Sequence, residues 1–123
     1  MQSLNVVLFQ GDPGITQWLA RNLGSQFHSV YVAQPQEDLR AAIARHRAKV
    51  VILDVEFSSL ADVNQLRREF PGVAIVCTHR LADEEMWTAA LEAGADDICP
   101  SSDTGGIVRS AVRNARMASA AAA

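Results

Sequence analysis

Lysine is almost missing from this chain of 123 residues: Lys49 is the only one among eleven basic residues. A mechanism that needs an ammonium group has a single candidate to draw on. Cysteine is scarce as well. Cys77 and Cys99 are too far apart for a zinc knuckle and too few for a disulfide framework, so both read as small buried apolar residues. No apolar run approaches the roughly eighteen residues of a membrane span, and Met1 leads into a strand-like segment without a signal-type stretch. A cytoplasmic protein with no membrane partner is expected. Eleven basic against fourteen acidic residues leave a net charge of -3, which excludes a strongly basic, phosphate-neutralising surface and with it direct nucleic-acid binding.

With 49% hydrophobic residues, the chain has the length and composition of one compact domain. Leu4 to Phe9 is a short, nearly continuous apolar run that ends in the turn formers Gln10-Gly11-Asp12-Pro13-Gly14. Asp12 before Pro13 fits a helix start, with Ile15, Trp18, Leu19 and Leu23 at helical spacing and a stop near Gly24. A second strand is expected over His28 to Ala33 and a second helix over Glu37 to Arg47. Val50-Val51-Ile52-Leu53-Asp54 is the strongest strand, apolar on both faces as a central parallel strand must be. Leu60, Val63, Leu66 and Phe70 mark a third helix, Val73 to Cys77 a fourth strand, and Asp83 to Ala93 a fourth helix with Gly94 as left-handed cap. Asp97-Ile98-Cys99 is a short fifth strand, and a last helix starts near Thr104. Residues 1–118 make the domain, and 119–123 an alanine-rich tail or the start of a linker.

Five strands alternating with five helices predict an α/β fold, doubly wound, with a parallel sheet covered on both faces. Chemistry in such sheets sits outside the carboxyl ends of the strands. That directs attention to Gln10-Gly11-Asp12, Asp54-Val55-Glu56, Thr78-His79 and Pro100-Ser101-Ser102. Asp54 ends the most buried strand, where a carboxylate must reach solvent, a metal or a donor; a helix cap or hydrogen-bonded loop Asp is the alternative reading. Asp12 reads first as a helix cap, and His79 and Arg80 as solvated loop residues. The first loop, QGDPGIT, matches neither the dinucleotide GxGxxG nor the triphosphate GxxxxGK[ST] pattern, and no GxSxG elbow occurs. No enzyme and no organic cofactor are expected.

VVILD with Asp54, VAIVCT with Thr78, and ALEAGADDI from Ala90 to Ile98 resemble the receiver domain of bacterial response regulators, over essentially the whole chain. The resemblance implies a flavodoxin-like sheet of strand order 2-1-3-4-5. It makes Asp54 the phosphoacceptor position, Thr78 the phosphoryl-contacting hydroxyl, and Glu56 the residue whose backbone carbonyl ligates magnesium. The family's acidic pair falls on Gln10 and Gly11, its lysine on Ser101 and its switch aromatic on Ile98. A metal site here would draw on Gln10, Asp12 and the Glu56 carbonyl, so Mg²⁺ is expected to bind weakly at best. Phosphoryl transfer relies on metal and cation to neutralise the equatorial oxygens. The chain therefore reads as an atypical, or pseudo-, receiver, a signalling and protein-interaction module in a two-component phosphorelay with phosphorylation lost or weakened. A working receiver phosphorylated at Asp54 by a histidine kinase and a flavodoxin-like small-ligand domain are the alternatives. The partner would be a histidine kinase or an output protein. Trp87 on the fourth helix reads either as an anchor on the face of helix 4, strand 5 and helix 5, where a homodimer would form, or as a core residue beside Leu91.

Overall fold

A strand that is apolar on both faces needs cover on both, and the computed structural model, which describes residues 2–122, shows how it is supplied. The order is β1 (Gln2–Phe9), α1 (Pro13–Gly24), β2 (Phe27–Val32), α2 (Leu39–Arg45), β3 (Val50–Asp54), α3 (Leu60–Glu69), β4 (Ala74–His79), α4 (Glu84–Ala93), β5 (Asp97–Pro100) and α5 (Thr104–Ala122). All strands pair in parallel in the order β2-β1-β3-β4-β5, with β3 central and buried at every position. Side chains alternate across the sheet. Val51 and Leu53 enter a core with Val7, Ile75 and Cys77 under α2, α3 and α4, while Val50 and Ile52 enter a second core with Leu8, Val76 and Cys99 under α1 and α5. The expected doubly wound sheet and its order are thus observed. Among the described residues no helix is long and apolar enough to cross a membrane.

Local chemistry sets most boundaries. Asp12, Asp38, Ser59 and Asp83 cap α1, α2, α3 and α4 with their side chains, Ser59 and Asp62 forming a reciprocal capping box. Gly94 closes α4 in the left-handed region at φ 115°, as the sequence predicts. Helix α2 is shorter than its expected span, Glu37 to Arg47. Glu37 turns back to accept from Gln34 N (2.6 Å) and the Tyr31 hydroxyl (2.9 Å), and Arg47 leaves the helical region at φ 50°. Strand β4 runs two residues beyond Cys77, because β5 pairs with Thr78 and His79 as well. The stretch 119–123, expected as tail or linker, is helical backbone as far as Ala122, consistent with alanine's high helix propensity; Ala123 lies outside the described residues.

A single guanidinium ties the loops at the amino edge of the sheet. Arg67 Nε donates to Gly94 O (2.8 Å), Nη1 to Val73 O (2.8 Å) and Pro71 O (3.1 Å), and Nη2 to Asp96 Oδ2 (2.6 Å). Asp96 Oδ2 also accepts from Ile75 N (2.8 Å), so the pair joins α3, β4 and the α4–β5 turn. A Cβ on Gly94 would lie 3.0 Å from Arg67 Cβ and Cγ, a second reason for glycine there. Truncation strips the three carbonyls and Asp96 of their shared donor. Arg67→Ala is expected to cost about 2–3 kcal/mol of unfolding free energy, measured by urea denaturation, and Arg67→Lys to recover only part of it.

The two thiols lie on opposite faces of the sheet, one in each core. Burial, reinforced by nearby aspartates, pushes the Cys77 thiol up to about 12 and the Cys99 thiol up to about 11, against an ordinary 9.0. Above pH 9 the unfolded thiols ionise while the folded ones keep their protons, so the folded state binds more protons and loses stability as pH rises. The urea midpoint should fall between neutral pH and about pH 10. The fall should be smaller in the Cys77→Ala/Cys99→Ala variant.

Candidate functional site

The carboxyl ends of β1, β3 and β4 meet around Asp54, whose carboxylate is buried to 6% exposure. Buried charge must be hydrogen-bonded or paired. Here both oxygens go to main-chain donors: Gly11 N donates to Oδ2 (3.0 Å) and Glu56 N to Oδ1 (2.9 Å). The Asp54 carbonyl in turn accepts from Ser58 N (2.9 Å), and Val55 N donates to Thr78 O (3.1 Å), which fixes the turn between β3 and α3. Asp54 is therefore both the floor of the site and the clasp between the first loop and that turn.

The other residues singled out from the sequence fall around it. Gln10 is buried and turned to Thr78: its Nε2 donates to Thr78 Oγ1 (3.0 Å), and that hydroxyl also donates to Gln10 Oε1 (3.2 Å). Asp12 is exposed and spends Oδ1 on Gly14 N (2.8 Å) and Ile15 N (3.0 Å), the cap reading. The Glu56 side chain is taken up by the residues after β4, accepting from Arg80 Nε at 3.0 and 3.2 Å with His79 Nε2 at 3.6 Å from Oε1. Arg80 is the solvated residue expected, its side chain 74% exposed beside Glu56, whereas His79 is the last residue of β4 and largely covered. The cavity in front of Asp54 has a volume of about 410 Å³, with walls that include Asp12, Ile15, Glu56, Phe57 and Arg80.

Phe57 is the residue that the sequence reading missed. Its ring packs against Phe9 at the end of β1, with centroids 5.5 Å apart, and lies directly over Gly11. An apolar residue three positions past a candidate phosphoacceptor carries no spacing signal of its own. Only the approach of the two loops reveals its position.

These residues do not assemble a site for Mg²⁺. A hard divalent cation needs several oxygen ligands, with carboxylates to offset its charge. Asp54 is one such carboxylate, but Gln10 is committed to Thr78, position 11 has no side chain, and Asp12 is a cap. Among the described residues no three His, Cys, Asp or Glu side chains are grouped to hold a metal ion.

Solved structures match this arrangement over nearly the full chain. NtrX from Brucella abortus in complex with ADP superposes with a TM-score of 0.84 at 18% identity, covering 96% of this chain and 27% of that one. A CheY-like protein (TadZ) from Pseudomonas aeruginosa PAO1 gives 0.72 at 26% identity, covering 94% of each. A third, described as an atypical orphan response regulator with a phosphorylation-independent regulatory mechanism, gives 0.78 at 16% identity, covering 92% of this chain and 96% of that one. The chain has the receiver fold. It spans about a quarter of the NtrX chain, and no family model and no curated protein matches its sequence.

Within the receiver fold the remaining positions are plain. Ser101, where the resemblance would place the lysine, is buried and donates its N–H to His79 O (3.2 Å); with Gly14, Ile15, Trp18, Arg80 and Ser102 it lines a groove of about 350 Å³. Ile98, at the aromatic position, is buried in the core beside Cys77. Trp87 is 46% exposed on α4, which settles its two readings in favour of the surface.

The Gln10–Thr78 pair is wholly internal, so removing one partner strands the other. Thr78→Val is expected to cost about 1–3 kcal/mol by denaturant unfolding, with Gln10→Leu/Thr78→Val costing less than the sum of the two single changes.

Proposed function

We propose that this chain is a signalling module of a two-component system, a receiver fold in which Mg²⁺-dependent phosphorylation of Asp54 is lost or weakened and which acts by contact with other proteins. The observation that carries this reading is the state of Asp54. Its oxygens are held by two uncharged amides, from Gly11 and Glu56, in a site with no acidic pair and with Ser101 where the receiver pattern has lysine. A phosphoryl group on Asp54 would bring about two negative charges, and the transition state leading to it spreads charge over three oxygens. Without metal or ammonium, that charge is left to hydrogen-bond donors and to Arg80, an exposed guanidinium in the cavity wall. Arg80 is engaged with Glu56, and Lys49 precedes β3 at the far end of the strand.

A module of this kind works as a binding surface and not as an enzyme. Trp87 on α4 supplies an exposed apolar anchor on the face that the resemblance assigns to α4, β5 and α5, and large exposed apolar side chains are effective contact points. A kinase, an output protein or a second copy of the chain would bind there in the cytoplasm.

The second reading, a working phosphoacceptor, is favoured by the open cavity before Asp54. An amide NMR titration separates the two. On adding millimolar Mg²⁺ and then beryllofluoride, a phosphoryl mimic, peaks of Asp54, Thr78 and Ser101 are expected to stay in place in both the wild type and Asp54→Ala. Shifts confined to the wild type that spread to α4 and α5 would overturn the proposal.

A further inference from the structure

Two kinds of constraint can force a glycine on a chain: a backbone conformation closed to other residues, or a neighbour that leaves no room for a side chain. Gly94 shows both, and Gly11 shows only the second. Its backbone lies outside the left-handed region, so any L residue could adopt it. A Cβ placed there would nevertheless stand 2.7 Å from Phe57 Cβ and Cδ1 and 2.8 Å from Cγ. The ring is 51% exposed and can turn about χ1, but Phe57 Cβ cannot swing aside as the tip of a long side chain would, because it is fixed to the main chain. That main chain is itself pinned, with Phe57 N donating to Asp54 O (3.3 Å), Ser58 N to the same oxygen (2.9 Å) and Glu56 N to Asp54 Oδ1 (2.9 Å). Phe9 backs the ring from the β1 side. The plug and the clasp are one unit, since the turn that presents Phe57 is the turn that Asp54 holds.

We infer that Phe57 is a plug: seated over Gly11, it fills the room that an acidic side chain at position 11 would occupy and closes the site to a divalent cation by sterics as well as by charge. The inference deepens the proposed function and rests on its reading of Asp54 as a metal-free site. Its consequence is an order of dependence. Restoring carboxylates at positions 10 and 11 does not restore a metal site while the ring is present, and removing the ring alone opens space without adding charge. Both changes are required together.

A mutant cycle tests this without relying on metal. Gly11→Ala is uncharged and conformationally permitted, so in the wild-type background it should lower the melting temperature through collision with Phe57. In a Phe57→Gly background, which removes Cβ as well as the ring, the same substitution should have little effect. Equal effects in the two backgrounds would overturn the plug. The metal arm uses MgCl₂ alone, read by amide NMR, on the wild type, Gln10→Asp/Gly11→Asp, and Gln10→Asp/Gly11→Asp/Phe57→Gly. The triple variant is expected to bind at least about tenfold more tightly than the double variant, roughly the effect of one added charge contact at a partly solvated site. Equal binding by the double and triple variants, or none by the triple variant, counts against the plug. Mg²⁺ binding by the wild type would instead overturn the proposed function, while the melting cycle still decides the role of Phe57.

Discussion

A carboxylate at the end of a fully buried central strand is the constraint around which the carboxyl edge of this molecule is organised. Asp54 is too enclosed to be satisfied by bulk water, and leaving it unpaired would cost several kcal/mol. The chain meets that demand from its own main chain, with an amide from the loop after β1 and another from the turn after β3. The two loops are thereby drawn together, Phe57 is brought over Gly11, and Glu56 is turned outward to Arg80. Charge that a metal or lysine would otherwise balance is instead spread into hydrogen bonds. Asp54 thus has a structural role at the position that the receiver resemblance assigns to the phosphoacceptor.

Interior and rim differ in what they contribute. The Gln10–Thr78 pair is buried and self-contained, so its members depend on each other and are unavailable to a ligand without first separating. The Arg80–Glu56 pair lies in water with the arginine side chain 74% exposed, where screening and side-chain entropy offset most of the attraction. A rigid floor under a loosely held rim suits a site whose surroundings can adapt to a partner while its centre stays fixed. At the opposite edge Arg67 supplies the rigidity, holding the α4–β5 turn to α3 and β4.

Much of this was legible from the residues in order. The cap at Asp12 and the glycine after α4 are local events that a few neighbouring residues decide. The VVILD run announced a central strand because only a strand covered on both sides can be apolar on both sides. The missing acidic pair and lysine could be counted directly once Asp54 was placed. Helix α2 was overestimated, because Glu37 and Arg47 look helical by spacing while Glu37 is drawn back to Tyr31 and Gln34. Arg67 escaped notice because a basic residue near the end of a helix ordinarily reads as a solvated charge.

The sequence by itself determined the α/β alternation, the strand whose end carries the site, and the uncharged pair Gln10 and Gly11 beside it. Periodicity, caps and composition are properties of neighbouring residues and need no knowledge of what folds against them. The tertiary structure alone decided which groups hold Asp54, where Gln10 and Glu56 turn, that Trp87 faces out, and that Phe57 rather than backbone geometry keeps position 11 a glycine. Each depends on loops far apart in the chain arriving within a few ångströms of each other. Contacts of that kind are set by the packing of the sheet and its helices, and no local pattern records them.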